Sequence, residues 1–325
     1  MPTGLTQLPL GKLDRIDVRK VWLKEAEHFT PWLAQENNIA ILGDAIGLDL
    51  EVEAQEKWVG PFRADILCKD TANDSWVLIE NQLEKTDHIH LGQLLTYASG
   101  LSAVTLVWIS PKFTEEHRAT LDWLNEITDE RFNFFGLEIE VWRIDDSPVA
   151  PKFNIVSKPN GWTKTVAETA RSFASGNVTE TRQLQMEYWG KLGELVTEKS
   201  KLLRARTPYP QSFTNFSIGR SGSHLCALLN TKQKRIGVQL LLHGANAKAF
   251  FDLLHADKQS IETEVGQELV WDKLPDGKES HVEVWIEQID PSNKSDWSRQ
   301  HEWLLSTLEA FHRAFSQRVR NILVD

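Results

Sequence analysis

The first half of the chain alternates between helix-like and strand-like patterns of apolar residues. Apolar residues at helical spacing over 18–34 predict an amphipathic helix, which Pro31 kinks or shortens. A second short helical stretch follows near 39–46. The remaining patterns complete an αβββαβαβ unit: strands at 48–58, 61–69 and 75–83, a helix capped by Thr86 or Asp87 and reaching about residue 99, a strand at 103–109, a helix at 114–128 and strand structure over 131–144.

The second half begins after a stretch rich in turn-forming residues. Residues 145–165 carry three prolines and a glycine without a clear hydrophobic period, which places the domain boundary there. We predict an α/β domain with a mixed sheet over 1–158, a linker over 159–179 and an α+β domain over 180–325. The elements expected in the α+β domain are a long helix at 180–204, strands at 212–219, 224–230 and 235–242, a helix at 246–257, strands near 268–272 and 281–288, and a helix at 296–322.

Composition narrows the class of protein. With 325 residues, of which 41% are hydrophobic and 25% charged, the chain fits two globular domains and not a disordered or collagen-like protein. No apolar run approaches the roughly 20 residues of a membrane-spanning helix, and the N-terminal residues lack a signal-peptide core, so we expect a cytoplasmic protein without a membrane partner. Cys68 and Cys226 are too few for a disulfide framework, and the ten histidines show no metal-binding spacing.

Charge is distributed unevenly along the chain. The net charge is −10, but residues 1–160 contribute −11 and residues 161–325 contribute +1. The window from Lys199 to Arg235 holds eight basic residues and no acid, which indicates either a surface for an anionic polymer or an ordinary solvated basic face. On the first interpretation, neutralising Arg204, Arg206 and Arg220 weakens DNA binding and flattens its salt dependence. The residues proposed to bind nucleic acid are Arg204, Arg206, Arg220, Lys232, Lys234 and Arg235.

Several acids occupy positions where apolar residues are expected. Glu25 falls in the middle of the apolar stripe of the first helix, so it requires a partner, either a metal ion or an arginine such as Arg63. Asp65 interrupts an apolar strand, and Glu80 shares a face of the next strand with Gln82. Two carboxylates on adjacent antiparallel strands repel each other unless a cation or a shared proton lies between them, which makes a Mg²⁺ or Mn²⁺ site the natural solution.

The helix after these strands adds two polar residues on one flank. Gln93 and Tyr97 lie one turn apart, where an amide and a phenol suit the binding of a phosphate or of a water beside the metal. In the alternative interpretation Tyr97 packs at the rim of the domain and Gln93 is solvated.

These residues, in this order, resemble the motifs of the PD-(D/E)xK nuclease superfamily, particularly its RecB-like and NucS-like branch, over roughly residues 10–150. The resemblance implies a restriction-endonuclease-like αβββαβ core and Mg²⁺-dependent hydrolysis of phosphodiester bonds in DNA. It implies Glu25, Asp65 and Glu80 as metal ligands, and it associates the protein with bacterial defence or repair. Many such nucleases act as dimers on duplex DNA, so a homodimer is also expected. The matching motifs are Glu25, Asp65, Glu80-x-Gln82 and Gln93-x-x-x-Tyr97.

The chain departs from the superfamily pattern at the motif lysine, where Gln82 stands. An amide can orient water or phosphate but cannot supply positive charge, a role that Lys85 at the strand end could take. The alternative hypothesis is a catalytically inactive module that retains the nuclease fold to bind nucleic acid or protein. RNA stays open as a substrate because nothing in the sequence reads the 2′-hydroxyl. The C-terminal half resembles a bacterial domain of unknown function that is found with nuclease-like domains.

Overall fold

The protein is described by a computed structural model that covers residues 10–59, 62–100, 104–129, 132–159, 180–275 and 277–322. The chain forms two compact units, the first comprising 1–46, 54–67 and 78–159 and the second 47–53, 68–77 and 160–325. Two segments from the N-terminal half thus belong to the second unit, which a single cut at the predicted linker does not anticipate. Most of that linker lies outside the described residues. Among the described residues, no helix is long and apolar enough to cross a membrane.

The N-terminal half is built on a seven-stranded mixed sheet with helices. The strand order is β1-β6-β5-β4-β3-β2, with β7 also paired to β6. β5 and β6 run parallel, whereas β1 and β7 pair antiparallel with β6, so the predicted α/β class with a mixed sheet is confirmed. The elements are β1 (Leu13–Ile16), α1 (Thr30–Leu33), α2 (Glu36–Ile46), β2 (Leu50–Val59), β3 (Phe62–Asp70), β4 (Ser75–Asn81), α3 (His88–Gly100), β5 (Val104–Ser110), α4 (Glu115–Ile127), β6 (Phe132–Ile144) and β7 (Ala150–Ser157).

The prediction of one amphipathic helix over 18–34 is wrong. The apolar positions belong to an aromatic cluster in which the ring centroid of Trp22 lies 4.8 Å from that of Phe29 and 4.7 Å from that of Trp32. Burial of these rings produces helical spacing in the sequence although the backbone is not continuously α-helical. The segment instead contains a 3₁₀ turn at Val18–Lys20, a π-helix at Glu25–Phe29 and the short α1 at Thr30–Leu33.

Two strands of the sheet were not predicted from the sequence. β1 has four residues, too few for a recognisable alternation. β7 lies inside the stretch interpreted as a domain boundary, and it contains Pro151, which has no amide hydrogen to donate to a neighbouring strand. β7 pairs with β6 from Gly136 to Trp142, so the turn-like composition of its sequence conceals a strand.

The described part of the C-terminal half forms a second sheet covered by helices, which confirms the predicted α+β class. Its five strands follow the order β11-β12-β10-β9-β8 in antiparallel pairs. The long helix α8 (Trp297–Asn321) packs across β8, β9 and β10 and against α5 (Glu180–Lys199) around a common apolar core. A helix that the sequence did not predict, α7, follows α6 directly. The elements are α5 (Glu180–Lys199), β8 (Phe213–Arg220), β9 (Ser223–Asn230), β10 (Arg235–His243), α6 (Ala247–Ala256), α7 (Lys258–Val265), β11 (Val270–Asp272), β12 (Glu279–Glu287) and α8 (Trp297–Asn321).

Candidate functional site

The end of β4 gathers the acids predicted to bind metal. The backbone amide of Asn81 donates a hydrogen bond of 2.8 Å to Oδ2 of Asp65, which fixes Asp65 beside the strand that carries Glu80. The amide of Leu83, just beyond the strand, donates a hydrogen bond of 3.1 Å to Oε2 of Glu25. Glu25 is thereby tied to the same strand end from a segment 58 residues away in sequence.

Burial and mutual repulsion make the charged forms of these acids costly. Glu80 is 3% exposed, and its Oε2 has no hydrogen-bond partner among the described residues. Burial, and next the charges of Asp65 and Glu25, raise the pKa of Glu80. Burial likewise raises the pKa of Asp65, to which Glu25 and Glu56 add electrostatic repulsion. A buried acceptor that lacks a donor is an unsatisfied polar group, which a cation or a proton would satisfy.

Glu56 is a fourth acid of this cluster that the sequence analysis missed. Its charge contributes to raising the pKa values of Glu25, Asp65 and Glu80. The sequence did contain a sign of this acid, because strand alternation puts Glu56 on the same side as the apolar residues Val52 and Ala54. Glu56 also forms an ion pair with Arg63, in which Nε of Arg63 lies 3.0 Å from Oε2 of Glu56. Arg63 therefore pairs with Glu56 and not with Glu25 as suggested from the sequence.

The carboxylates of Glu25, Asp65 and Glu80 lie too far apart, in their present rotamers, to bind one metal ion together. Among the described residues, Asp74, His224 and His243 form a group whose ligand atoms all lie within 4.8 Å of one another. Glu25, Asp65 and Glu80 do not meet this distance. Rotation of the carboxylates would be needed for one ion to contact all three. Their role as a common ligand set therefore stays a prediction.

Gln82 is fully engaged in hydrogen bonds within the protein. Its side-chain nitrogen donates to the backbone oxygen of Lys85 at 2.8 Å and to Oδ2 of Asp87 at 3.3 Å, while its oxygen accepts from the indole nitrogen of Trp108 at 2.8 Å. The side chain is 2% exposed. These contacts give Gln82 a structural role at the strand end, whereas the side chain of Lys85 is exposed.

Gln93 and Tyr97 lie in α3 as predicted, but they are less accessible than a phosphate-binding pair requires. Tyr97 is completely buried, and burial followed by the charges of Glu80 and Asp65 raises the pKa of its hydroxyl. Gln93 is half-buried, and its Oε1 has no hydrogen-bond partner among the described residues. Tyr97 thus packs beside the acids, and Gln93 is not simply solvated.

A histidine at the start of α3 also approaches the acids. Asp87 caps this helix by accepting hydrogen bonds from the amides of Ile89 and His90, and its carboxylate also contacts Nδ1 of His90 at 2.9 Å. The positive form of His90 stabilises the charged form of Glu25. Sequence reasoning placed His90 on the same helix flank as Gln93 and Tyr97 but assigned it no role, because a lone imidazole in a helix carries no motif.

The second group of potential metal ligands comes from three separate places in the chain. Asp74 lies in the turn before β4, His224 in β9 and His243 at the end of β10. Burial lowers the pKa of His224 to about 4, which keeps its imidazole neutral at pH 7. The spacing of the histidines in the sequence did not reveal this group, because only short spacings were considered and His224 lies 150 residues from Asp74.

The basic residues proposed to bind nucleic acid have partners inside the protein. Arg206 donates two hydrogen bonds of 2.8 Å to Asp70, and Arg204 lies 3.4 Å from Asp49. These two arginines of the acid-free window thus find their acids more than a hundred residues earlier in the chain. The remaining partners are the backbone oxygens of Val319 and Ile322 for Arg220, Asp290 for Lys234, and Glu287 for Arg235, while Lys232 is exposed.

Comparison with known proteins finds a matching family model for part of the chain. Residues 184–319 match the family described as a domain of unknown function (DUF4268), which confirms that the C-terminal half resembles a domain of unknown function. No curated protein is similar to the chain at a significant level. A crystal structure of a repair endonuclease from Pyrococcus abyssi is 21% identical and covers 32% of this chain, which in turn spans 47% of that structure, with a TM-score of 0.25. A TM-score this low does not establish a shared fold, and it supports no functional conclusion.

Proposed function

We propose that the N-terminal sheet carries a metal-dependent nuclease site that hydrolyses phosphodiester bonds in DNA. The observation that carries this proposal is the pairing of Asp65 and Glu80, two desolvated carboxylates on neighbouring strands. Burial raises the pKa of both, the charge of Asp65 raises that of Glu80 further, and Oε2 of Glu80 lacks a donor among the described residues. A protein keeps such a costly pair mainly where the charges serve a function.

The donor set fits a hard divalent cation. Carboxylate oxygens are the ligands that Mg²⁺ and Mn²⁺ prefer, and Asp65, Glu80, Glu25 and Glu56 supply them at one strand end. When bound, such a cation polarises a phosphoryl oxygen and acidifies a coordinated water. The amides of Asn81 and Leu83 hold one oxygen each of Asp65 and Glu25, which leaves the other oxygens to face a ligand.

The surrounding residues supply positive charge and orientation. We assign the exposed Lys85 to contact a phosphate, and His90, held by Asp87, to supply a second donor on the side of Glu25. Gln82 keeps the strand end in place through Trp108 and the backbone of Lys85. In this assignment Lys85, and not Gln82, replaces the lysine of the superfamily motif.

A cleavage assay with a matched glutamate control tests the proposal. Wild-type protein is incubated with plasmid DNA, single-stranded DNA and RNA in Mg²⁺, Mn²⁺ or EDTA, alongside Glu80→Ala and Glu115→Ala. Glu115 is an exposed glutamate of α4 that pairs with Arg118. We expect cation-dependent cutting of DNA by the wild type and Glu115→Ala, and a loss of about 100-fold or more in Glu80→Ala.

Two results would contradict the nuclease assignment. One is the absence of any Mg²⁺- or Mn²⁺-dependent cutting by the folded wild-type protein. The other is equal cutting by the wild type and Glu80→Ala, which would indicate a contaminating nuclease. Cutting of RNA alone would keep the acidic site and change its substrate.

The second candidate function is an inactive module that retains the fold to bind nucleic acid or protein. The hydrogen bonds of Gln82 favour it, because they occupy the side chain that stands where the motif lysine would be. Under this hypothesis the acids take up a proton in place of a metal ion, and no DNA substrate is cut.

Paired variants of Gln82 and Lys85 separate structure from chemistry. Gln82→Ala leaves the indole N–H of Trp108 unpaired in the core, so we expect a loss of about 1–3 kcal/mol in the free energy of unfolding. Lys85→Ala removes an exposed cation, so we expect a cleavage rate about tenfold lower at unchanged stability. Urea titration and initial cleavage rates measure the two effects. A normal rate in Lys85→Ala would remove this lysine from the site.

A further inference from the structure

We propose that Asp74, His224 and His243 bind a divalent transition-metal ion of the Zn²⁺ class, at a site separate from the carboxylate cluster. Their ligand atoms all lie within 4.8 Å of one another. Ligands about 2.0–2.2 Å from a tetrahedral ion are about 3.3–3.6 Å apart, so small side-chain shifts bring the three into coordination. All three residues belong to the second compact unit.

The strand pairing places both imidazoles on one face of the C-terminal sheet. His224 in β9 is the register partner of Leu241 in β10, and His243 follows Leu241 by two residues. Alternation therefore turns His224 and His243 to the same side as diagonal neighbours. Their ring centroids are 5.3 Å apart at an angle of 64°, so the rings converge without stacking.

The carboxylate is held in position by the turn between β8 and β9. The amide of Gly222 donates a hydrogen bond of 2.8 Å to Oδ1 of Asp74, which leaves Oδ2 beside Nε2 of His243. Gly222 has a φ of +73°, a conformation that favours glycine, and its oxygen accepts from the amide of His243 at 2.9 Å. The same turn thus orients one ligand and anchors the strand of another.

A buried imidazole nitrogen of this group lacks a hydrogen bond in the described part of the chain. His224 is 5% exposed, and its Nδ1 is buried without a hydrogen bond. An unsatisfied buried nitrogen destabilises the folded chain, and a coordinated ion would offset that cost. The side chains of His243 and Asp74 are 29% and 14% exposed, so an ion can enter from solvent and keep a water as a further ligand.

The chemistry of the donors selects the class of ion. Two imidazoles and one carboxylate suit Zn²⁺ and its neighbours in the first transition row, whereas Mg²⁺ prefers oxygen alone. Glu279 is the register partner of His243 and adds negative charge that favours a cation. The charge of Lys69 also acts on His243, and its Nζ lies 4.9 Å from the centroid of the Trp76 ring. The ion would join the turn that contains Asp74 to β9 and β10.

Metal titration of the full chain tests this site. Chelator-treated protein is titrated with ZnCl₂ by calorimetry, and Co²⁺ uptake is followed by the visible absorption of low-coordinate cobalt. We expect one Zn²⁺ per chain and a melting temperature that rises with Zn²⁺. His243→Gln and the isosteric Asp74→Asn should weaken binding at least tenfold, while His255→Gln, an exposed histidine of α6, should bind as the wild type does.

The outcomes separate this site from the nuclease site. Glu80→Gln should keep full Zn²⁺ binding, since it alters only the carboxylate cluster. The proposal is overturned if the wild type takes up no stoichiometric Zn²⁺, or if folded His243→Gln and Asp74→Asn bind it with unchanged affinity. If one variant does not fold, the cobalt spectrum of the wild type decides, because two imidazole ligands and a carboxylate give a low-coordinate spectrum and a hydrated surface ion does not.

Discussion

Arg206→Ala is expected to lower the free energy of unfolding by about 3–5 kcal/mol. Asp70 is 2% exposed and receives two hydrogen bonds of 2.8 Å from the guanidinium of Arg206, which also reaches Asp49 at 3.3 Å. Removing the arginine leaves a buried carboxylate without its cation, and that uncompensated charge is the source of the large effect. Urea titration of the purified full chain measures it.

The control for this prediction is a basic residue of the same sequence window. Lys232 is exposed, so Lys232→Ala should change stability by no more than about 0.5 kcal/mol. Asp70→Asn should destabilise the protein in the same direction as Arg206→Ala. Unchanged stability in Arg206→Ala together with a flatter salt dependence of DNA binding would restore the interpretation of Arg206 as a phosphate ligand.

Replacing the ionisable carboxyl of Glu80 by the amide in Glu80→Gln is expected to make the metal-free protein more stable than the wild type, increasingly so as the pH rises from 5 to 8. Burial and the neighbouring acids raise the folded-state pKa values of Glu80 and Asp65 above their ordinary values of 4.5 and 3.8. The folded chain therefore holds protons that the unfolded chain releases. Stability is complete below the ordinary values and is lost as the pH rises through the folded-state pKa values, by roughly 1.4 kcal/mol per pH unit for each such proton.

Unfolding measured from pH 5 to pH 8 in EDTA, with and without excess Mg²⁺, tests this dependence. The wild type should lose stability relative to Glu80→Gln as the pH rises, and Mg²⁺ should restore it in the wild type only. Mg²⁺ at about 100 times its dissociation constant adds about 2.7 kcal/mol. Parallel pH profiles for the wild type and Glu80→Gln would contradict the raised pKa, and an equal response of both proteins to Mg²⁺ would contradict the metal site.

Elements with a strong local pattern were predictable from the sequence. The sequence of β5 is an apolar run. The helix α4 has a capping threonine, Thr114, whose side chain accepts a hydrogen bond from the amide of His117. The segment around Trp22 was not predictable, because tertiary packing of aromatic rings sets its spacing and the backbone follows that packing. β7 was missed for the opposite reason, since proline and polar residues mask its pairing with β6.

The candidate metal sites also divide into residues that a local pattern reveals and residues that only the folded chain brings together. Glu25, Asp65 and Glu80 were recognisable because a carboxylate at an apolar position is costly, and Glu56 carried the same signal. The partners of Arg206 and the grouping of Asp74 with His224 and His243 depend on contacts between residues more than a hundred positions apart. No local spacing contains that information. A lack of acids within a sequence window therefore says little about the charge around an arginine in the folded chain.

The composition of the second unit has a practical consequence for dissecting the protein. Residues 47–53 and 68–77 contribute Asp49, Asp70 and Asp74 to it. A truncated protein that begins at residue 180 would contain the whole DUF4268 match, yet it would leave Arg206 without its carboxylates and His243 without Asp74. During synthesis, likewise, these early segments leave the ribosome long before their partners. Insolubility of the isolated C-terminal fragment would thus reflect missing residues and not an unstable family fold.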